Sequence, residues 1–184
     1  MAENHRPPGL PKEISPNVML AIMQRESSLK IDAQNPHSSA SGLTGLRTKV
    51  TADDIQDRVM RKRFGKDSTI AGLKPGERLK DQTNNPVAAV HASYAYLYDR
   101  FIAKGKTLEK ALHGYGEPNK QYSNSIMGTT KLLDELEKSG KMTDKNLAKV
   151  LEVVHHDRYW AETSEPPKLA DVLKGRFKNT KTGR

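Results

Sequence analysis

Apolar residues in this chain recur at spacings of three and four, and no segment alternates convincingly between apolar and polar residues as a half-buried strand would. The clearest apolar face follows Asn85-Pro86 and consists of Val87, Val90, His91, Tyr94, Leu97 and Phe101. Further helices are predicted over residues 16–30, 51–64, 120–138 and 169–173, with shorter ones after Thr107 and Thr143. The 184 residues suffice for one domain with a proper core. The pattern therefore predicts a single, predominantly α domain with few or no strands.

Basic residues outnumber acidic ones, with 31 Lys and Arg against 22 Asp and Glu, for a formal net charge of +9. Such an excess favours a polyanionic partner, either nucleic acid, a membrane surface or an acidic cell-wall polymer. Part of the excess is local, because residues 168–184 carry six basic residues and one acidic residue. We expect this basic tail to be mobile or loosely docked.

The sequence shows no segment that directs secretion or spans a membrane. The first twelve residues contain three prolines and no apolar stretch, and no run of about 18 apolar residues occurs. We therefore expect no signal peptide and no membrane span, so that another agent would have to deliver the protein to a substrate outside the cytoplasm. The absence of cysteine excludes disulfides, thiolate metal sites and a cysteine nucleophile.

One acid, Glu26, lies on the apolar face of the first predicted helix. Ser15 suits the N-cap and Pro16 the first helical position. The buried stripe is predicted to consist of Val18, Met19, Ile22, Met23 and Leu29. Glu26 follows Ile22 by four residues, so it projects from nearly the same face. Desolvation there is expected to raise the carboxyl pKa and keep the group protonated near neutrality, as a general acid requires. The polar, small-residue segment 35–42 is predicted to form one wall of a cleft.

Metal, cofactor and nucleic-acid chemistry are not indicated. His155 and His156 are adjacent, and adjacent helical side chains point about 100° apart, so they cannot easily share an ion. No HExxH or comparable ligand spacing occurs, and we predict no metal and no cofactor. No base-reading helix-turn-helix, RNP-type aromatic motif or zinc finger is present. Only three Phe and one Trp are available for base stacking, which argues against a nucleic-acid partner.

Four motifs occur in an order that resembles a known family. They are Glu26-Ser27-Ser28, the loop from Asn35-Pro36 to Gly42-Leu43, the Asn85-Pro86 helix, and the run A-L-H-G-Y-G at residues 111–116. Together they resemble the lysozyme-like, soluble-lytic-transglycosylase (SLT-type) family over residues 14–127. Phage-borne members look most similar, since they often carry an E-S…N-P-x-S-S-A-x-G-L run. The resemblance implies a lysozyme-like catalytic domain, which we place over residues 14–140. The three prolines predict an extended lead-in over residues 1–13, and a C-terminal helical extension with the basic tail is expected over 141–184.

The resemblance also implies an activity. Members of the family cleave the β-1,4 bond between N-acetylmuramic acid and N-acetylglucosamine in peptidoglycan, and the transglycosylases leave a 1,6-anhydromuramoyl end without net addition of water. Most glycosidases need two carboxyl groups, whereas this family is implied to use one. Glu26 is the implied acid and then base. Peptidoglycan strands are the expected substrate, other virion or envelope-crossing proteins the expected partners, and the virion or the host periplasm and cell wall the expected location.

The same resemblance assigns roles near the predicted cleft. Ser27 would help to hold the local fold, and Gly42 and Leu43 would pack the loop against the helix. Either Asn35 or Ser39 corresponds to a polar loop residue that hydrogen-bonds near the acid. The loop length leaves both of these residues open as candidates.

Two tyrosines match or lie near positions that contact the sugar in the family, and two glycines stand where the family usually has other residues. Tyr115 matches a tyrosine whose hydroxyl points at the acid and the sugar, and Tyr122 is expected to line the opposite wall. Gly45 stands where the family usually has a glutamine that contacts the sugar. Gly116 replaces the asparagine that commonly follows the tyrosine.

Two alternatives to a transglycosylase remain open at the level of the sequence. A hydrolytic muramidase of the same fold would use an aspartate to position water, and Asp32, Asp53 and Asp54 are available. A non-catalytic virion structural or nucleic-acid-binding protein with a degenerate site would also suit the net charge of +9. Product analysis distinguishes a hydrolase, which leaves a reducing muramic acid, from a transglycosylase, which leaves an anhydro end. Steeply salt-dependent DNA binding without peptidoglycan clearing would indicate the non-catalytic alternative.

Overall fold

The computed structural model describes residues 2–47, 51–116 and 118–177. Within these ranges the secondary structure is helical apart from one small antiparallel sheet and an antiparallel bridge between Gln34 and Ser41, and the prediction of a predominantly α fold is confirmed. The chain divides into two units, Met1–Ala111 and Leu112–Arg184, which we describe in turn. None of the described helices is long and apolar enough to cross a membrane.

The first unit contains one sheet and most of the shorter helical segments. Its helices are α1 (Pro16–Ser27), α2 (Thr51–Asp54), α3 (Met60–Phe64), α4 (Pro86–Ala103) and the start of α5 (Leu108–His113). A π-helical segment, Ile55–Val59, joins α2 to α3, and 3-10 turns occur at Glu3–His5 and Leu79–Asp81. Strands β1 (Ala40–Ser41) and β2 (Leu46–Arg47) pair antiparallel, with Ala40 opposite Arg47.

Helix α1 begins as the sequence predicts but ends earlier. The Ser15 hydroxyl accepts a hydrogen bond from the Val18 N–H at 3.3 Å, which caps the helix. At the other end Ser28 and Leu29 both have left-handed backbone, with φ of 51° and 63°. The Leu29 N–H bonds back to the Met23 carbonyl at 3.4 Å, closing the last turn as in a Schellman-type end. The prediction of a helix to residue 30 was therefore wrong, and Leu29 is 39% exposed rather than part of the buried stripe.

The N-terminal segment is hydrogen-bonded to the rest of the first unit. The Arg6 guanidinium donates to the carbonyl oxygens of Leu10, Pro11 and Ile14 at 2.8, 3.1 and 3.0 Å. The Tyr94 hydroxyl on α4 donates to the Ala2 carbonyl at 3.1 Å. The Arg6 bonds fold the segment predicted as an extended lead-in back on itself and onto Ile14, and the Tyr94 bond joins it to α4.

The second unit is built around a long helix. Helix α6 (Lys120–Lys138) packs against α7 (Asp144–Glu152), the 3-10 turn Val153–His155, α8 (Asp157–Trp160) and α9 (Leu169–Leu173). Trp160 is fully buried, and its indole N–H donates to the Val153 carbonyl at 2.8 Å. The indole lies so close to Gly128 that a Cβ there would be 2.3 Å from the ring. The last seven residues of the predicted basic tail lie outside the described ranges.

Candidate active site

Glu26 is the penultimate residue of α1 and lines a cleft in the first unit. The residue is half-buried, and the cleft has a volume of about 230 Å³. The other wall residues are Ala33, Gln34, Asn35, Pro36, Ala40, Ser41, Gly42 and Gly45. Among these described wall residues Glu26 is the only carboxylic acid, so any proton transfer to a bound substrate by a wall carboxyl would involve this side chain.

Backbone hydrogen bonds hold the cleft loop in a defined conformation. The Gly42 N–H donates to the Ala33 carbonyl at 2.9 Å, and the Asn35 N–H donates to the Ala40 carbonyl at 3.0 Å. The Asn35 side-chain oxygen accepts from the His37 N–H at 2.8 Å, which forms an Asx turn at the loop tip. These local bonds order the cleft wall.

Ser27 and Leu43 connect the end of α1 to this loop. The Ser27 hydroxyl lies 2.8 Å from the Met23 carbonyl oxygen and 2.8 Å from the Leu43 carbonyl oxygen, so it can donate to either. Ser27 and Leu43 are both buried, with 7% and 5% exposure. These contacts support the loop, and a direct substrate contact by either residue stays a prediction.

Two glycines let the loop backbone approach its neighbours closely. Gly42 and Gly45 have positive φ of 74° and 64°. A Cβ on Gly42 would lie 2.1 Å from the Thr83 carbonyl oxygen, and a Cβ on Gly45 would lie 2.5 Å from Oε2 of Glu26. The positive φ and the lack of space both favour glycine at these two positions.

Of the two polar candidates in the loop, one lies in the cleft wall. Asn35 lines the cleft together with Glu26, whereas Ser39 is not among the wall residues. Asn35 is exposed, and its side-chain oxygen is already bonded to the loop backbone. Its amide N–H groups are therefore the part of the side chain best suited to meet a ligand.

The tyrosine candidates belong to the second unit. Tyr115 is half-buried in the turn after α5, where its N–H donates to the Leu112 carbonyl at 3.1 Å. Tyr122 is 2% exposed, and a Cβ on Gly116 would lie 2.3 Å from its Cζ. Gly116 thus makes room for the Tyr122 ring. Substrate binding by Tyr115 and Tyr122 stays a prediction.

The comparison with protein families identifies the chain. The model of the transglycosylase SLT domain matches residues 7–137, more than two thirds of the sequence. The chain belongs to the transglycosylase SLT domain family. Members of this family are lytic transglycosylases that act on peptidoglycan, and the predicted family, enzyme class and helical fold are confirmed. No curated protein and no solved structure gives a significant match.

In this transglycosylase domain the aspartates considered for water positioning lie elsewhere. Asp54 forms a two-pronged ion pair with Arg58 at 2.6 and 2.7 Å, and this hydrogen bonding lowers the pKa of Asp54. Asp53 bonds to Arg78 at 2.5 Å. Neither residue lines the cleft, and the exposed Asp32 is not among its wall residues either.

Sequence reasoning missed one residue that shapes the cleft. Thr83, which precedes the α4 cap, is hydrogen-bonded to Ser41 through their hydroxyls at 2.9 Å, and its carbonyl abuts Gly42. The two hydroxyls are 42 residues apart in sequence, so no local pattern links them. Across residues 2–47, 51–116 and 118–177, no group of three or more His, Cys, Asp or Glu side chains is placed to hold a metal ion.

Proposed function

We propose that Glu26 alone acts as acid and then base in a lytic transglycosylase reaction that leaves a 1,6-anhydromuramoyl end. The observation that carries this proposal is that Glu26 is half-buried and is the only carboxylic acid among the described residues of the cleft wall. A single carboxyl group suffices when the attacking hydroxyl belongs to the substrate itself, because no second acid is needed to position water.

The reaction balances without water. The Glu26 carboxylic acid gives its proton to the glycosidic oxygen, and the bond from that oxygen to C1 of the muramic acid residue breaks. The resulting Glu26 carboxylate then takes the proton from the C6 hydroxyl of the same muramic acid residue. The C6 oxygen bonds to C1, which closes the anhydro ring and returns Glu26 to its protonated form.

Hydrolysis on the same fold is less well supported. A hydrolase would hold water with a second carboxylate across the cleft. Asp53 and Asp54 are engaged with Arg78 and Arg58 outside the cleft wall. A hydrolytic product would carry a reducing muramic acid and would be heavier than the anhydro product by one water molecule.

Mass analysis of muropeptides released from purified peptidoglycan tests both parts of the proposal. The variants are Glu26→Gln, which keeps the shape of the side chain and removes its proton, and Glu13→Gln as the matched control. Glu13 is exposed and lies outside the cleft wall. We expect the parent and Glu13→Gln to release anhydromuropeptides and Glu26→Gln to release none while remaining folded by circular dichroism.

Two results would contradict the proposal in different ways. Release by Glu26→Gln at the parental rate would show that Glu26 is not the acid. Reducing ends from the parent would show that water is the acceptor, and Asp32→Asn would then be the next variant to assay.

We further propose that the enzyme opens the cell wall locally after delivery with a virion or an envelope-crossing machine. The net charge of +9 supports contact with an acidic wall polymer. The phage-like E-S…N-P-x-S-S-A-x-G-L run supports the delivery route. Mass-spectrometric detection of the protein in purified particles tests this, and its absence from particles that penetrate the wall would contradict it.

A further inference from the structure

The backbone of Gly45 lies directly against the carboxylate of Glu26. A Cβ at Gly45 would be 2.5 Å from Oε2, 3.1 Å from Cδ and 3.1 Å from Cβ of Glu26. Contacts below 3.0 Å are not compatible with both groups in place, so a side chain at Gly45 and the observed Glu26 rotamer exclude each other. The volume beside Gly45 is occupied by the Glu26 side chain itself.

The cleft loop is firmly held, so the displacement would fall on Glu26. The Gly45 N–H bonds to the Gly42 carbonyl at 3.3 Å, and the adjoining Leu46 pairs with Ser41 in the small sheet. Leu43, on the other side, is buried and linked to α1 through Ser27. The Glu26 carboxylate is carried on three rotatable bonds and moves more easily than this backbone.

We propose that Gly45 is a positioning residue whose missing side chain sets the location of the Glu26 carboxylate in the cleft. Gly45→Gln, which restores the residue expected from the family resemblance, should then reduce activity instead of improving it. The glutamine side chain would enter the volume that the carboxylate occupies. This inference rests on the proposed function of Glu26.

The first experiment compares Gly45→Ala with Gly140→Ala. Both glycines have left-handed backbone with nearly the same φ, 64° and 66°, but a Cβ on Gly140 would have no atom within 4 Å. Gly140→Ala therefore reproduces the backbone strain without the clash. Initial rates of muropeptide release at a series of peptidoglycan concentrations give kcat and KM separately.

We expect Gly45→Ala to lower kcat by about 100-fold, as a displacement of roughly 1 Å does for a reacting group, with little change in KM. Gly45→Gln should lower kcat by at least the same factor. Gly140→Ala should keep the parental kcat. Equal kcat values for Gly45→Ala and Gly140→Ala would overturn the inference, as would a higher kcat for Gly45→Gln than for the parent.

A double-mutant cycle tests whether the effect passes through Glu26. Glu26→Asp shortens the side chain and withdraws the carboxylate from Gly45. If Gly45 acts by positioning Glu26, the loss of kcat in the Glu26→Asp, Gly45→Ala double variant will be smaller than the product of the two single losses. A loss equal to that product would mean that Gly45 has only a structural role.

Thermal unfolding keeps the inference testable if Gly45→Ala proves too unstable to assay. The Tm loss caused by Gly45→Ala should be smaller when Glu26 is also replaced by alanine, because the 2.5 Å contact with Oε2 is then gone and only the 3.1 Å contact with Cβ remains. An undiminished loss would overturn the inference. If the Gly45 results contradict the inference while Glu26→Gln is inactive, only the role of Gly45 is refuted and the proposed function stands. If Glu26→Gln is active, the proposed function itself is refuted.

Discussion

Replacing Ser27 by alanine removes the hydroxyl that joins the end of α1 to the cleft loop. Its oxygen lies 2.8 Å from the carbonyl oxygens of both Met23 and Leu43. The Met23 carbonyl also accepts the N–H of Leu29 at 3.4 Å and so keeps a donor in the variant. The hydrogen bond that is lost without replacement is therefore the one to the Leu43 carbonyl. Loss of the donor to a buried acceptor costs about 1–3 kcal/mol. A cost of about 2 kcal/mol corresponds to a Tm decrease of roughly 4–8 °C for a chain of this size.

The matched control is Ser93→Ala. Ser93 is a fully buried serine on α4, in the same unit, whose hydroxyl has no hydrogen-bond partner among the described residues. Its removal discards a desolvated hydroxyl without breaking a bond, so stability should stay the same or rise by up to about 1 kcal/mol. The difference between the stability changes of the two variants therefore measures the hydrogen bond to the cleft loop, because both variants lose a buried serine hydroxyl.

The assay has to report on the first unit. The single tryptophan, Trp160, belongs to the second unit, so we would follow unfolding by far-UV circular dichroism and amide exchange in peptides covering residues 40–46. Ser27→Ala should lower the Tm and speed exchange in these peptides, with a reduced rate of peptidoglycan cleavage. If both serine variants give the same Tm and the same exchange, the Ser27 hydroxyl does not hold the loop.

Two further predictions follow from packing and burial. Gly116→Ala should destabilise the second unit by about 1–3 kcal/mol because the new Cβ would lie 2.3 Å from the Tyr122 ring, and Trp160 fluorescence during urea unfolding measures this; an unchanged midpoint would contradict the packing argument. Burial lowers the pKa of His91, with a smaller contribution from the His5 charge, so the unfolded state binds the proton more readily. The contribution of neutral His91 to the free energy of unfolding is therefore complete above the ordinary histidine pKa of about 6.5, and it is lost as the pH falls through the lowered pKa of the folded state. The Tm of His91→Gln should fall less between pH 7 and pH 5 than that of the parent, and parallel curves would refute this.

Helix starts were predictable because their signals are local. Ser15 and Asn85 are side chains that accept hydrogen bonds from N–H groups two or three residues later, and each precedes a proline. The end of α1 was not predictable in this way. Ser28 and Leu29 take left-handed backbone without the glycine that usually marks such an end.

The cleft was predictable as far as it is formed by consecutive residues. Glu26 and the loop to Gly42 lie within 17 residues of each other, and the sequence predicted that they would form one cleft. The bracing of Gly42 by Thr83 depends on packing between distant segments and left no trace in the local pattern. From the sequence, Gly45 was noted only as the position of a missing glutamine. That the Glu26 carboxylate occupies the volume beside it depends on the folded structure.

The two departures from the family pattern have the same physical form. At Gly45 the volume of a side chain is taken by the Glu26 carboxylate, and at Gly116 it is taken by the Tyr122 ring. Each glycine is therefore coupled to one neighbour, and a single substitution toward the family residue creates an overlap. A relative of this enzyme with a side chain at either position must then place the acid or the ring differently.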